Sequence, residues 1–223
     1  MSKWVRGAVA GVALMAVLTG CGDEDKGGGS SGQGVTGGAF GGGKKSASGI
    51  SSTQQVGEAL PSERSLGGGW KLMNQPRLRD SAETASACQQ YTGTACTGVL
   101  AGGESKFISD SQDSTTIFAD FSIYAVDSPE NAKVLYQAIQ TSSRQKASED
   151  FEELSFDLGA DESYSYSDFD GPHAIVRVGG VLALVELRSE DLEEGSKLET
   201  AEHLAIEEVE RIRKVAAGEN PDA

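Results

Sequence analysis

Cys88 and Cys96 stand eight positions apart in this 223-residue sequence, and a close, even pair of thiols predicts a disulfide formed in an oxidising compartment. Loop-closure entropy makes so small a ring worth on the order of 2.5 kcal/mol. The spacing is not the C-x-x-C of a zinc site and the chain has only two histidines, so no metal or other cofactor is expected. His173 and Glu186 fall on facing positions of a predicted hairpin. A carboxylate orienting an imidazole is one arrangement of a general base. No nucleophile can be assigned to it, and a cross-strand charge pair on the less buried sheet face is the preferred reading. Ser143-Arg144-Gln145-Lys146 has the S-x-x-K spacing that pairs a serine with an amine, but the accompanying K-T-G is absent and the segment reads as an exposed helix end. Acidic runs at 149–153 and 190–194 lack the alternating ligands and glycine of a calcium loop and read as solvated surface. No catalytic residue is assigned. The stretch Ser163 to Asp170 mixes aromatic rings, hydroxyls and carboxylates, a common recognition mixture, and makes Tyr164, Tyr166, Asp168 and Asp170 the candidate binding surface. Against this, a strand must turn one side to the core, which can bury both tyrosines.

These side chains need elements to hold them. Ser128 as cap and Pro129 in the first turn predict a helix that buries Ala132, Leu135, Tyr136 and Ile139. A C-terminal helix is predicted from Ser196 and Glu199, read as a capping box, with Leu198, Ala201, Ala205, Val209, Ile212 and Ala216 on one face and Gly218 at its end. A shorter helix around 81–91 carries Cys88. The segment 115–126 alternates, with Ile117, Ala119, Phe121, Ile123 and Ala125 on one side, as a half-buried strand does. Gly102 and Gly103 mark a turn before a partner strand that ends near Ser109. A further strand covers 162–167. Residues 172–188 form a hairpin around Gly179-Gly180. Its register pairs Val178 with Val181, Val176 with Ala183 and Ala174 with Val185 on the core face, and His173 with Glu186 on the other. The whole is an α+β fold, a mainly antiparallel sheet packed against two or three helices in a single domain at 54–218, with a tail at 219–223.

The remaining sequence gives an address. Lys3 and Arg6 precede an uncharged apolar run from Gly7 to Thr19, too short to span a bilayer, which reads as a secretory signal over 1–20. Leu18-Thr19-Gly20-Cys21 closes it and resembles the bacterial lipobox. That resemblance implies cleavage before Cys21, lipidation of its thiol and a protein anchored by acyl chains on the extracytoplasmic face of the cell membrane. Residues 21–53 follow as a tether. Positions 22–49 hold 12 glycines in 28 residues, too little to bury for the chain to order, with a flexible reach of roughly 30 Å. Gly32-x-Gly34-x-x-Gly37 and Gly38-x4-Gly43-Lys44 imitate nucleotide-binding loops here, but lack the flanking strand and helix that such loops need.

The chain carries 19 basic and 34 acidic residues, a formal charge of -15 that becomes -17 once Lys3 and Arg6 are removed. Phosphate backbones would be repelled, which excludes nucleic acid as a partner. Leu158-Gly159-Ala160-Asp161-Glu162-Ser163-Tyr164, the segment 174–182 and the helix from Ser128 are similar to secreted actinobacterial lipoproteins related to the extracellular sensor domains of receptor-type Ser/Thr kinases. The resemblance implies a ligand-binding module with a cleft and disulfides. With an anchor, a tether and no catalytic set, the sequence predicts a non-catalytic lipoprotein whose domain binds a small envelope ligand or a protein partner. A hydrolase with dispersed site residues and an assembly accessory are the alternatives.

Overall fold

A computed structural model describes residues 49–110, 115–146 and 149–223. The signal-like segment, the Cys21 motif and the tether up to residue 48 lie outside them, as do the nucleotide-like patterns. In chain order the elements are α1 (Thr53–Ala59), β1 (Trp70–Leu72), β2 (Arg77–Arg79), α2 (Ser81–Thr92), β3 (Val99–Asp110), β4 (Thr116–Val126), α3 (Pro129–Gln145), β5 (Glu152–Leu154), β6 (Glu162–Asp168), β7 (Gly171–Val178), β8 (Val181–Arg188) and α4 (Glu194–Ala217). All strands join one antiparallel sheet in the order β1-β3-β4-β8-β7-β6-β5, with β2 also on β3. Among the described residues no helix is long and apolar enough to cross a membrane.

The α+β reading holds, with one more helix than expected and with both sheet faces covered. One core layer joins α1 and α4 to Phe107, Phe121, Ile123, Val176, Ala183 and Val185. Within it Phe107 and Phe121 meet edge to face, their centroids 5.8 Å apart. A second layer sets α3 and Cys88 of α2 against Tyr164, Tyr166, Ile175, Leu182 and Leu184. The β7–β8 register is the predicted one, Val178 to Val181 through His173 to Glu186, around a Gly179 at φ 60°. Helix α3 begins as predicted, with Ser128 accepting from the Asn131 amide and Pro129 in the first turn.

Several local expectations are corrected. Gly102 and Gly103 do not form a turn but lie inside β3, because two helices close onto that strand from opposite sides. A Cβ at Gly102 would come within 2.5 Å of Thr84 on α2, and one at Gly103 within 2.9 Å of Val56 on α1. The capping box at Ser196 is not formed either. Helix α4 starts two residues earlier, at Glu194, without a side-chain cap, and Ser196 lies within its first turn. Packing also starts before residue 54, since Ile50 is fully buried in the first core layer. At the other end, the segment read as a tail folds back so that Asp222 accepts from Arg211.

Candidate functional site

Cross-strand pairing aligns six side chains on the α2/α3 face. Lys106 of β3 faces Asp120 of β4, which faces Glu186 of β8, then His173 of β7, Tyr166 of β6 and Glu153 of β5. An antiparallel sheet puts directly opposed residues on one side, so register alone builds the row. Asp120 receives Lys106 at 2.7 Å and Arg188 at 2.6 Å on the same oxygen.

His173, within this row, is buried, contrary to the expectation of a less buried face, with Tyr166 of the neighbouring strand lying flat against its ring. Its ring stacks on Tyr166, which stacks in turn on Phe151 at a centroid distance of 5.2 Å. Nε2 is 3.0 Å from Asp168 Oδ1, and Nδ1 faces Glu186 Oε1 at 3.8 Å, too far for a hydrogen bond. Burial by itself pushes the His173 pKa down, but Glu186 and Asp168 outweigh it and hold it above the usual value. For Glu186 burial acts upward, and His173 together with Arg188 and Lys106 outweighs it to bring the carboxyl down.

Tyr164 and Tyr166 are therefore not part of an exposed surface. Both rings are buried beneath α3 and its following segment, a consequence of the second helix layer. The Tyr164 hydroxyl donates to Glu153, and Arg144 lies over its ring at 4.8 Å. Ser143 and Lys146 do not make a nucleophile pair, since each turns to Tyr91. Lys146 Nζ donates to the Tyr91 carbonyl at 2.7 Å, and Ser143 Oγ is 3.5 Å from the Tyr91 hydroxyl. Glu153, from the first acidic run, pairs with Arg144 at 2.8 Å.

Asp168 and Asp170 are at the surface, in the tight β6–β7 turn. Asp168 Oδ1 accepts from the Asp170 amide at 2.9 Å as well as from His173. One carboxylate thus ties the turn to the buried ring. Between the two aspartates Phe169 projects into solvent, 85% exposed. It was not among the residues picked by type and spacing, although strand alternation ending at a turn is the signal that exposes it. Phe169, Asp170, Phe118, Arg188 and Lys197 border an open cleft of about 840 Å³ at this end of the sheet.

Cys88 and Cys96 are joined as expected, tying α2 to the approach of β3. Helix α2 ends at Gly93 in the left-handed region, and Thr92 accompanies the bridge by donating to the Cys88 carbonyl. The crosslink holds Tyr91 where Ser142 and Lys146 reach its carbonyl.

No protein-family model matches the chain, and no match is found among curated proteins. A solved structure does match. The extracellular domain of PknH from Mycobacterium tuberculosis superposes with a TM-score of 0.50 over 73% of this chain and 97% of that domain, at 9% identity. The likeness is one of fold. It agrees with the kind of domain that the segments 158–164 and 174–182 resemble.

Proposed function

We propose that this chain is a lipid-tethered, non-catalytic module on the extracytoplasmic face of the cell membrane that engages a protein partner through the sheet end bearing Phe169. The observation that carries the reading is a solvent-facing aromatic, Phe169, 85% exposed on the β6–β7 turn. Asp168 braces the backbone of the turn by accepting from the Asp170 amide and from His173, and the charges of Arg188, Asp170 and Lys197 stand beside Phe169 at the cleft. An aromatic anchor within a polar rim is the composition that protein interfaces favour. The Cys88–Cys96 bridge fits an oxidising compartment, and the likeness to the extracellular domain of PknH is in keeping with that location. Anchoring at Cys21 rests on the sequence motif.

A hydrolase built on His173 has less to recommend it. The imidazole nitrogen a substrate would need already donates to Asp168, and Ser143 is engaged with Tyr91. The binding reading is tested with Phe169→Ala and Asp170→Ala in the full chain, recovering cross-linked partners from the envelope of the source organism. Recovery should fall about tenfold with the melting temperature unchanged. Undiminished recovery from both variants removes the surface.

A further inference from the structure

Part of the α2/α3 face of the sheet is left open by both helices, and it is cationic on an acidic molecule. Helix α2 closes on β3 at Gly102, where Thr84 meets the strand, and α3 packs over Tyr164, Ile175, Leu182 and Leu184. Three cross-strand rows beside them stay part-exposed. Along β4, Ala119, Phe121 and Ile123 are buried on one side, while Phe118, Asp120 and Ser122 on the other are half-buried.

In the outermost row Lys71 of β1 faces Ile108 of β3, which faces Phe118 of β4, which faces Arg188 of β8. The next row holds Lys106, Asp120 and Glu186, and the third Arg77, Glu104 and Ser122. Each carboxylate here already has a partner beside it: Arg79 reaches Glu104 at 2.8 Å, Lys106 and Arg188 share Asp120, and Glu186 faces His173. Lys71 and Arg77 are exposed and have no ion pair among the described residues. Lys106 and Arg188 keep 47% and 45% of their side chains exposed. With Arg79, five cations meet three carboxylates, an excess of positive charge on a chain whose formal charge is -15. Beyond Arg188 the surface turns acidic, with Asp170, Glu190 and Asp191 around the cleft.

A patch of one sign within a field of the other draws a partner of complementary charge and fixes its orientation. An extended polyanion does not suit this one, because a membrane surface or a nucleic acid runs past the rows onto acidic surface that repels it. A short segment stays within them. Ile108 and Phe118, between the outer two cations, give it an apolar floor of the kind found in protein interfaces. Strands about 4.8 Å apart put Lys71 and Arg188 roughly 14 Å from one another, and in an extended chain residues i and i+4 are about 13 Å apart on one side, with i+2 between them. Arg188 uses one nitrogen on Asp120, and its guanidinium has two more. We propose that this half-face docks an extended polypeptide segment of the pattern acidic-x-apolar-x-acidic, its carboxylates meeting Lys71 and Arg188 and its apolar side chain lying on Ile108 and Phe118. The surface adjoins the Phe169 cleft, but its test involves neither Phe169 nor the partner of that turn.

Amide-shift mapping by NMR of the full chain, titrated with the peptide acetyl-Glu-Thr-Leu-Thr-Glu-amide, tests the proposal. Shifts should centre on positions 71, 108, 118 and 188. The peptide acetyl-Thr-Glu-Leu-Glu-Thr-amide has the same composition and charge at the wrong spacing and should bind at least about threefold more weakly. Lys71→Glu should weaken the first peptide about tenfold, whereas Lys133→Glu, the same charge change at an exposed position of α3, should leave it within about twofold. Equal binding of the two peptides, an equal loss in the two variants, or no shifts along the rows overturns the proposal. So does polyphosphate shifting these amides where the peptide does not, which would give the face to a phosphate polymer.

Discussion

The imidazole of His173 lies flat on the phenol of Tyr166, with centroids 4.6 Å apart and planes within 9°. The stack fixes the ring so that one nitrogen meets Asp168 and the other faces Glu186. Asp168 also accepts from the Asp170 amide, so one carboxylate ties the buried ring to the 169–170 turn.

The direction of its pH dependence follows. His173 is raised above 6.5, so its contribution to stability is complete below that value and is lost as pH rises through the higher folded pKa. Glu186 is lowered below 4.5, so its contribution is complete above that value and is lost as pH falls through the lower folded pKa. The pair therefore supports the fold most between about 4.5 and 6.5. Denaturant unfolding of wild type and His173→Gln across pH 4 to 9 should show the difference between them shrinking above that window. A pH-independent difference would contradict the assignment.

Glu208 predicts an unusual gain. Its raised pKa means that stability present below 4.5 is lost as pH rises toward about 8. Replacing it by Met removes a buried carboxyl without hydrogen-bond partners and keeps the apolar contacts, so Glu208→Met should stabilise the protein by about 1 to 3 kcal/mol, more at pH 9 than at pH 6. Thermal unfolding at both pH values reads this out. A loss of stability at pH 9 would mean that the carboxylate is satisfied in solution.

Gly102 gives a steric prediction. Alanine there meets Thr84, whose hydroxyl is tied to the Asp80 carbonyl, and should cost about 1 to 3 kcal/mol. Gly68, with nothing within 4 Å of a new Cβ, is the control and should change stability by less than about 0.5 kcal/mol on the same substitution. Chemical denaturation of the two variants compares them directly.

Opening the Cys88–Cys96 ring should cost about 2.5 kcal/mol by loop closure. The double variant Cys88→Ser, Cys96→Ser should keep the sheet and lose amide-exchange protection chiefly around the end of α2. Protection lost throughout β7 and β8 would show that the bridge supports the whole fold.

Legibility in the sequence followed the strength of local pattern. The β7–β8 register could be worked out because Gly179-Gly180 fixes the turn and alternation fixes the faces, which also put His173 opposite Glu186. Helix α3 was legible through its cap and period. Strands β1, β2 and β5 have three residues each, too short to display a period, and α1 has only seven. The pair Gly102-Gly103 was misread because glycine serves close packing as readily as turning, and the helices that require it come from distant sequence. The same non-locality hid the burial of Tyr164 and Tyr166, which depends on a second helix layer. It hid Glu208 too, since residues 61–66 cover a flank of α4 that the apolar stripe alone leaves outside. Asp168 reaches His173 across a turn, a contact that no periodicity encodes.

The central claim, recognition through the Phe169 end, is tested most directly by photo-cross-linking in the intact envelope. A photoreactive residue is placed at position 169 of the full chain and, as a control, at position 134, another exposed hydrophobic position, on α3. The account predicts a discrete adduct of defined mass from 169 and none from 134. No adduct at 169, or the same adducts from both positions, would contradict it.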